Sequence, residues 1–427
     1  MIRTASRLVL SALALLPIGL AAGDASPLPT GWEANWPAFR GPEQSGITGQ
    51  KDLPVTWSES KNQNIAWKVA VPLEGLSSPV VWNDRVYLSG AIKEKRGAFC
   101  FAADTGKLIW KTELPADANV DLEYAAHAMT GIHAVPTPVV DGKFLHAFYA
   151  SGQVAAFDAQ TGKLTWTVYL GKPDNMWGLS NSLLRYQGNV LVQSSELIAF
   201  DAATGEKRWA KPINESGWCS PILAKIGAGH QVILMGNPGL GGYDPATGAK
   251  IWNADSLWTG DVAPTPVFAG GLAIGTFEGA GLFGVKTDGK GNLAKEATVL
   301  SLTELKTEGL KFPNSVSPVS DGERVYFFTD ALVCVDLKTR KVLYEEALKT
   351  AAEQPDQATY ASPTIIDGRL YAFGSSATHV IKTGPTFARL GHCDLADSFN
   401  SSPAFAPGRI FIRSDSSLYC IAAAKPK

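Results

Sequence analysis

One short pattern recurs along this chain of 427 residues and constrains its architecture more than any other feature. It reads small-x-Asp-x-x-Thr-Gly-x-x-x-Trp. The three full copies contain Asp158, Thr161-Gly162 and Trp166; Asp201, Thr204-Gly205 and Trp209; and Asp244, Thr247-Gly248 and Trp252. An earlier copy ends at Trp110 but has Ala102 in place of the Asp, and a later one decays to Asp336 and Tyr344. The Trp residues of the full copies are 43 residues apart, and a fixed period of this length indicates a repeat architecture.

A second marker, Ser/Thr-Pro before an apolar run, follows the same period. It occurs at Ser78-Pro79, Thr137-Pro138, Ser220-Pro221, Thr265-Pro266, Ser317-Pro318, Ser362-Pro363 and Ser402-Pro403, with a version lacking Pro at Asn181-Ser182-Leu183. The eight copies give a mean period of about 46 residues, which is typical of a four-stranded propeller blade. We therefore predict an all-β, eight-bladed β-propeller with four-stranded antiparallel blades.

The end of the chain predicts how the ring closes. After the last Ser-Pro, apolar runs account for only three strands before the chain ends. The missing outer strand is predicted at the N-terminus, in the segment from Asn64 to Val69. Its Trp67 precedes Trp110 by 43 residues and is therefore in register with the other copies. Closure of this kind removes sheet edges that would otherwise pair with other chains.

The recurring pattern resembles the Trp-docking motif of the pyrroloquinoline quinone (PQQ) repeat, over roughly residues 65 to 421. That repeat builds eight-bladed propellers in quinoprotein alcohol dehydrogenases, in outer-membrane assembly lipoproteins and in many secreted PQQ-like proteins. The segment from Trp36 to Pro42 resembles the lead-in of the last group. The resemblance implies the fold; a fold alone does not imply an activity.

The first 25 residues have the pattern of a secretory signal peptide. Arg3 and Arg7 precede an apolar core from Leu8 to Leu20, and small residues follow it. The core is too short to span a bilayer. We expect a signal peptide over residues 1–25, an N-terminal extension over 26–60 and the propeller over 61–427. The expected location is periplasmic or secreted, and the expected state is a monomer.

Composition narrows the function classes. A net charge of −2 gives no basic excess, which argues against nucleic acid as a partner. Of the five cysteines, Cys100, Cys334 and Cys420 align with small residues of the repeat, so we expect them to be buried structural residues. Export permits disulfides, but an odd count leaves at least one thiol unpaired.

The non-repeating residues that precede each Ser/Thr-Pro are the best candidates for a site, because they are predicted to surround the mouth of the central channel. They mix carboxylate, amide and aromatic groups that suit a small polar or aromatic ligand. These candidate ligand- or cofactor-binding residues are Glu74, His133, Trp177, Asn181, Trp218, Asp261, Asn314, Tyr360 and Asn400. The alternative is that they are ordinary loop residues with solvated polar tips.

Evidence for catalysis in the sequence is incomplete. The resemblance implies PQQ and calcium as possible cofactors, with Glu74, Asp261, Asn314 and a Trp as possible partners, although their spacing matches no defined motif. The chain lacks both the adjacent Cys-Cys pair found in many of those enzymes and a Cys-x-x-Cys-His haem site. We predict no catalytic residues and no metal site. His127 with His133, and the run His392-Cys393-Asp394, are weak ligand patterns.

The favoured interpretation is an exported, non-catalytic PQQ-like propeller that binds a protein partner or a small ligand at its channel face. One alternative is a PQQ- and calcium-dependent quinoprotein dehydrogenase. Another is an outer-membrane protein assembly scaffold.

Overall fold

Eight β-sheets, one per repeat, form the protein in a computed structural model that describes residues 27–120, 134–173, 178–215, 217–255, 262–278, 281–293, 295–302 and 309–423. Each sheet contains a blade of four antiparallel strands that follow one another from the channel outwards, except at the ring closure, and two sheets have a fifth strand paired in parallel. The predicted all-β, eight-bladed propeller is confirmed. No described segment is a helix long and apolar enough to cross a membrane. The predicted signal peptide, residues 1–25, lies outside the described residues.

The first four blades have the following strands, given from the innermost outwards. Blade 1 contains Val80–Trp82, Arg85–Ala91, Arg96–Ala102 and Leu108–Glu113; blade 2 contains Val139–Val140, Phe144–Phe148, Gln153–Asp158 and Leu164–Tyr169. Blade 3 contains Leu184–Tyr186, Asn189–Gln193, Glu196–Asp201 and Lys207–Pro212; blade 4 contains Ile222–Ile226, Gly229–Gly236, Gly239–Tyr243 and Lys250–Ala254.

The second four blades complete the ring. Blade 5 contains Val267–Ala269, Leu272–Phe277, Gly281–Lys286 and Thr298–Ser301; blade 6 contains Val319–Ser320, Arg324–Phe328, Leu332–Asp336 and Lys341–Glu346. Blade 7 contains Thr364–Ile366, Arg369–Phe373, Thr378–Lys382 and Arg389–Cys393; blade 8 contains Ala404–Ala406, Arg409–Arg413, Ser417–Ala422 and Ile65–Ala70. Blades 4 and 7 gain a fifth strand, Gly291–Asn292 and Ile47–Thr48 respectively, and short 3-10 helices span Trp32–Ala34 and Lys295–Ala297.

The N-terminal strand closes the ring as predicted. Ile65–Ala70 pairs antiparallel with Ser417–Ala422 and becomes the outer strand of blade 8, with Trp67 opposite Cys420. The seam between blades 8 and 1 is tied by the fully buried Arg413. Its Nη1 donates to the carbonyl oxygens of Ser77 (3.1 Å) and Ser89 (2.6 Å), and its Nη2 to that of Leu73 (3.2 Å). Burial lowers the pKa of Arg413 to about 9.

In blades 8, 1, 2 and 3 the Trp of the repeat docks on the following blade. The indole Nε1 of Trp110 in blade 1 donates to Ala159 O of blade 2 at 3.1 Å, and that of Trp166 in blade 2 donates to Ala202 O of blade 3 at 3.1 Å. The ring itself covers the Thr-Gly turn of the next blade, so closely that a Cβ on Gly162 would lie 2.5 Å from Trp110. Glycine is therefore needed at this turn for space as well as for its positive φ of 74°.

The Asp and Thr of the repeat are turn residues. Asp158 Oδ1 accepts hydrogen bonds from the backbone nitrogen and the hydroxyl of Thr161, both at 2.8 Å. Asp201 and Asp244 repeat these contacts with their own Thr. The bonds hold the carboxylate in its charged form and lower the pKa of Asp158. The most visible residues of the sequence are thus committed to the scaffold.

All five cysteines are buried and unpaired. Cys100, Cys334 and Cys420 each lie opposite the aromatic residue of their own outer strand, namely Trp110, Tyr344 and Trp67. The expectation that they occupy a crowded position of the repeat is confirmed. Burial raises the pKa of the Cys100 thiol to about 12, so this group stays a protonated, unreactive hydrophobe.

Candidate functional site

The Ser/Thr of the second marker forms a belt around the central channel. Its members begin the eight blades and are all less than 6% exposed: Ser78, Thr137, Ser182, Ser220, Thr265, Ser317, Ser362 and Ser402. In seven links the backbone nitrogen of one member donates to the side-chain hydroxyl of the member in the next blade, at 2.9–3.2 Å. The same hydrogen bond is repeated at each of these links, and it explains why the marker contains Ser or Thr.

The belt surrounds a cavity at the face where the inner strands begin, which we call the mouth face. This cavity, the cup, has a volume of about 450 Å³. Besides the eight belt residues, its described lining consists of Phe39, Leu76, Val135, Ser180, Trp218, Ala263, Asn314, Ser315, Tyr360 and Asn400. No described lining residue is ionisable at neutral pH. A hydroxyl oxygen that accepts a backbone N–H still has its own proton to donate, so the belt offers hydrogen-bond donors to a ligand.

Part of the N-terminal segment, residues 27–58, lies against the inner strands of the blades and contributes Phe39 to the cup. Trp36 and Val81 exchange two backbone hydrogen bonds, of 3.2 and 2.7 Å, along the channel-facing edge of blade 1. Farther along the segment, Gly46 O accepts from Ile365 N of blade 7 at 2.8 Å. Trp36 is completely buried, and Phe39 lines the cup. The segment thus satisfies strand edges that would otherwise face an open channel.

Arg40 anchors this segment from within. Its side chain is 1% exposed, and its Nη2 donates to Ser45 O at 3.2 Å and to Pro318 O of blade 6. Burial lowers the pKa of Arg40 to about 9, since no carboxylate forms an ion pair with it among the described residues. The sequence singled out Trp36 to Pro42 as a lead-in, and the structure places it in the channel.

The candidate residues of the channel mouth separate into three groups. Trp218, Asn314, Tyr360 and Asn400 line the cup. Asn181 is buried beside it, where its Nδ2 donates to Cys219 O at 2.6 Å, and Glu74 is exposed outside the described lining. His133, Trp177 and Asp261 lie outside the described residues.

A second cavity adjoins the cup on the side of blades 5 to 7. This cavity, the groove, has a volume of about 780 Å³, and it shares Asn314, Ser315, Tyr360 and Asn400 with the cup. Phe312 and Phe328 form part of its described lining, together with Thr329, Gln357 and Thr359. Tyr360 stands between the two cavities and is 56% exposed.

The described lining does not fit PQQ with calcium. Protein calcium sites are built mainly from carboxylate and carbonyl oxygens, and the described cup lining contains no carboxylate. PQQ is a tricarboxylate, and the same lining contains no Lys or Arg to balance it. No described cluster of His, Cys, Asp or Glu could hold a metal ion. His392-Cys393-Asp394 does not converge either, because Cys393 Sγ donates to Val55 O while Asp394 accepts from Ser58.

Sequence reasoning missed two parts of this site. The Ser/Thr of the second marker served only to locate the start of each blade. Their recurrence as Ser or Thr in all eight copies could have indicated a ring of hydroxyl groups. Phe39 was not detected because the N-terminal segment has no counterpart in the repeat.

Comparisons with known proteins agree with the architecture. The solved structure of BamB from Moraxella catarrhalis superposes with a TM-score of 0.56 at 14% identity, covering 83% of this chain and 98% of that one. The quinohemoprotein alcohol dehydrogenase from Comamonas testosteroni gives a TM-score of 0.65 at 11% identity, covering 92% and 82%. At these identities the likeness establishes the fold alone.

A curated relative and a family profile complete the comparison. Tetrathionate hydrolase of Acidithiobacillus ferrooxidans is 27% identical over 110 residues, which are 25% of this chain and only 21% of that protein. The profile described as outer membrane protein assembly factor BamB matches residues 54–217 and 150–426. The chain therefore belongs to the family of the outer membrane protein assembly factor BamB.

Proposed function

We propose that this protein is an exported, non-catalytic binding module that receives an uncharged ligand in the cup. The observation that carries the proposal is the described cup lining, which combines ten Ser/Thr hydroxyls and two amides with the rings of Phe39, Trp218 and Tyr360. A cavity of this size can enclose most of a small ligand or of a projecting group.

The lining also supports a preference for neutral groups. An ion entering the cup loses hydration, and no described side chain there offers an opposite charge in return. Hydroxyls and amides can satisfy the polar atoms of a neutral ligand, while the aromatic rings cover its apolar faces.

The test compares two probes of nearly the same shape, the neutral 4-hydroxybenzamide and the anionic 4-hydroxybenzoate, by saturation-transfer NMR with the full chain. The expected result is at least fivefold tighter binding of the amide, and loss of that binding when Ser317→Trp fills the cup. Arg340→Ala, on the opposite face, serves as the matched control. Equal or tighter binding of the benzoate contradicts the proposal.

The quinoprotein alternative is tested with the same protein. Adding PQQ and Ca²⁺ and following alcohol-driven dye reduction should give no turnover. Turnover that Asp261→Ala abolishes would establish a dehydrogenase and overturn the non-catalytic proposal.

Membership of the BamB family favours a second candidate, a scaffold for outer-membrane protein assembly. In that case the mouth face would receive a protein partner. Crosslinking from position 360 in intact envelopes should then capture a barrel-assembly component, and crosslinking from position 340 should not. Equal yields from both positions would exclude the mouth face as the docking surface.

Export and a monomeric state belong to the same proposal. The pattern of residues 1–25 supports cleavage near the small residues that follow Leu20. Periplasmic recovery of a shortened chain, with a scattering mass slightly below 45.4 kDa, is the expected result. Cytoplasmic recovery of the full chain would contradict export.

A further inference from the structure

We infer that the cup and the groove form one elongated site for a neutral saccharide chain. This inference rests on the proposed function, because it names the class of uncharged ligand that the cup would take. One end of the chain would occupy the cup, and the following rings would pass Tyr360 into the groove.

The two cavities meet at a boundary made by a few residues. Asn314, Ser315, Tyr360 and Asn400 line both, so a ligand that contacts them can extend into either cavity. The combined site runs from the channel axis outwards across blades 5 to 7. Its shape suits an extended chain of several similar units better than one compact molecule.

The chemistry of the boundary suits sugar rings. Saccharide hydroxyls both donate and accept hydrogen bonds, as the amides of Asn314 and Asn400 and the hydroxyl of Ser315 do. A sugar ring also has an apolar face that can cover an aromatic ring. Tyr360 offers such a ring at 56% exposure, and the part-buried Trp218 offers a second one in the cup.

The same surface is less suited to a peptide than to a saccharide. Added peptide strands bind through unpaired backbone groups. The backbone beside Tyr360 is already paired, since Ala358 N donates to Thr329 O at 2.7 Å and Thr359 N donates to Phe373 O at 3.3 Å.

The groove gives no clear preference for an ionic ligand either. Its ionisable groups among the described residues are Lys311, Asp330 and Glu278. The first two form an ion pair of 2.6 Å with each other, which leaves Lys311 already neutralised.

Isothermal titration of the full chain with chitotetraose, maltotetraose and cellotetraose tests the inference. At least one should bind with a Kd near or below about 1 mM. Tyr360→Ala should weaken that binding at least tenfold, whereas Tyr360→Phe, which keeps the ring, should change it less than threefold. Arg340→Ala on the opposite face should leave it unchanged.

Two outcomes would overturn the inference: no binding of any of the three at about 10 mM, or binding that Tyr360→Ala does not weaken. In either case, 4-hydroxybenzamide that still binds the cup would show that the proposed function stands and only the saccharide assignment fails. Loss of binding of that probe as well would remove both.

Discussion

The two halves of the ring hold their blades together in different ways. From blade 8 through blade 3, each outer-strand Trp packs on the Thr-Gly turn of the next blade, as Trp67 does on Gly106 and Trp166 on Gly205. From blade 4 through blade 7 this arrangement lapses. Trp252 turns towards Gly242 of its own blade and donates to Gln231 Oε1 at 2.7 Å, because blade 5 has no Asp-x-x-Thr-Gly turn to receive it.

Blade 7 shows how a missing Trp is replaced. Its outer strand has Gly391 at the Trp position, opposite Val380. The space is taken by the N-terminal segment, whose Val55 O would lie 1.8 Å from a Cβ on Gly391. Trp57 of the same segment is 1% exposed and stacks on Tyr371, with centroids 6.4 Å apart. We interpret Trp57 as the substitute for the missing repeat Trp.

The difference between the two halves of the ring distinguishes residues that pack blades together from residues that line the proposed site. Where the repeat is intact, its Trp and Gly residues pack adjacent blades together, and its Asp and Thr residues stabilise the turns. The groove lies among blades 5 to 7, where the repeat has decayed and its side chains are free to differ. In this chain the groove of the proposed site is thus found where the pattern is lost.

The largest expected effect is on the free energy of unfolding, and it tests whether Trp57 stabilises the ring as much as a Trp of the repeat does. Trp57→Ala and Trp166→Ala should each lower the free energy of unfolding by about 3–5 kcal/mol, because each leaves a large cavity between blades. Chemical denaturation followed by circular dichroism measures both. A cost for Trp57→Ala below about 1 kcal/mol would show that the N-terminal segment only covers blade 7.

A pH-dependent effect distinguishes the buried histidines of the two halves. His146 of blade 2 is completely buried with Nε2 2.9 Å from Ala202 O, and burial lowers its pKa to about 4. Between pH 6.5 and 4 the unfolded chain therefore binds a proton that the native protein does not, so stability falls as the pH falls through this window. The loss amounts to about 3 kcal/mol.

The matched comparison is His379 of blade 7, which is 2.9 Å from the buried carboxylate of Asp356. Burial lowers its pKa too, but Asp356 counteracts the shift. Denaturation at pH 7 and pH 4.5 should show that His146→Gln reduces the pH dependence more than His379→Gln does. The reverse order would contradict this account of the two environments.

A third prediction concerns the turn glycines of the intact half. Gly162→Ala places a Cβ 2.5 Å from Trp110 in a backbone with φ of 74°. Gly408→Ala has a similar φ of 68° but nothing within 4 Å, so it measures backbone strain alone, about 1–3 kcal/mol. Gly162→Ala should cost more than Gly408→Ala in thermal denaturation, and equal costs would mean that the Trp ring moves aside freely.

The smallest expected effect on stability comes from a substitution that restores the repeat pattern in blade 6. Arg340 occupies the Gly position of the turn that Asp336 begins, and its φ of 62° is unfavourable for a side chain. Arg340→Gly should raise the free energy of unfolding by about 0.5–1 kcal/mol. A decrease in thermal stability would show that the Arg340 side chain makes a stabilising contact.

The sequence was sufficient for the ring because its packing is encoded locally. Trp67 could be assigned to blade 8 from its register alone, and the burial of Cys420 could be expected from its alignment with small residues of the repeat. Both positions recur at fixed spacing along the chain, and in blades 8 through 3 the Trp position has the same packing role.

The cup could not be predicted in the same way. Arg40 and Trp57 act through contacts with blades more than 270 residues away along the chain, namely the bond from Arg40 to Pro318 O and the stacking of Trp57 on Tyr371. A periodic sequence pattern does not predict contacts between the N-terminal segment and such distant blades. Glu74, which also precedes a Ser-Pro, has an exposed side chain outside the described lining of the cup, and its place at the channel mouth stays a prediction.

A crystal structure of the protein soaked with 4-hydroxybenzamide tests the central claim most directly, because it shows where an uncharged ligand binds. We predict density for the amide inside the cup, within hydrogen-bond distance of the Ser/Thr belt and beside Trp218 or Tyr360. Density elsewhere with an empty cup, or a cup occupied by PQQ and calcium after growth with both, would contradict the account.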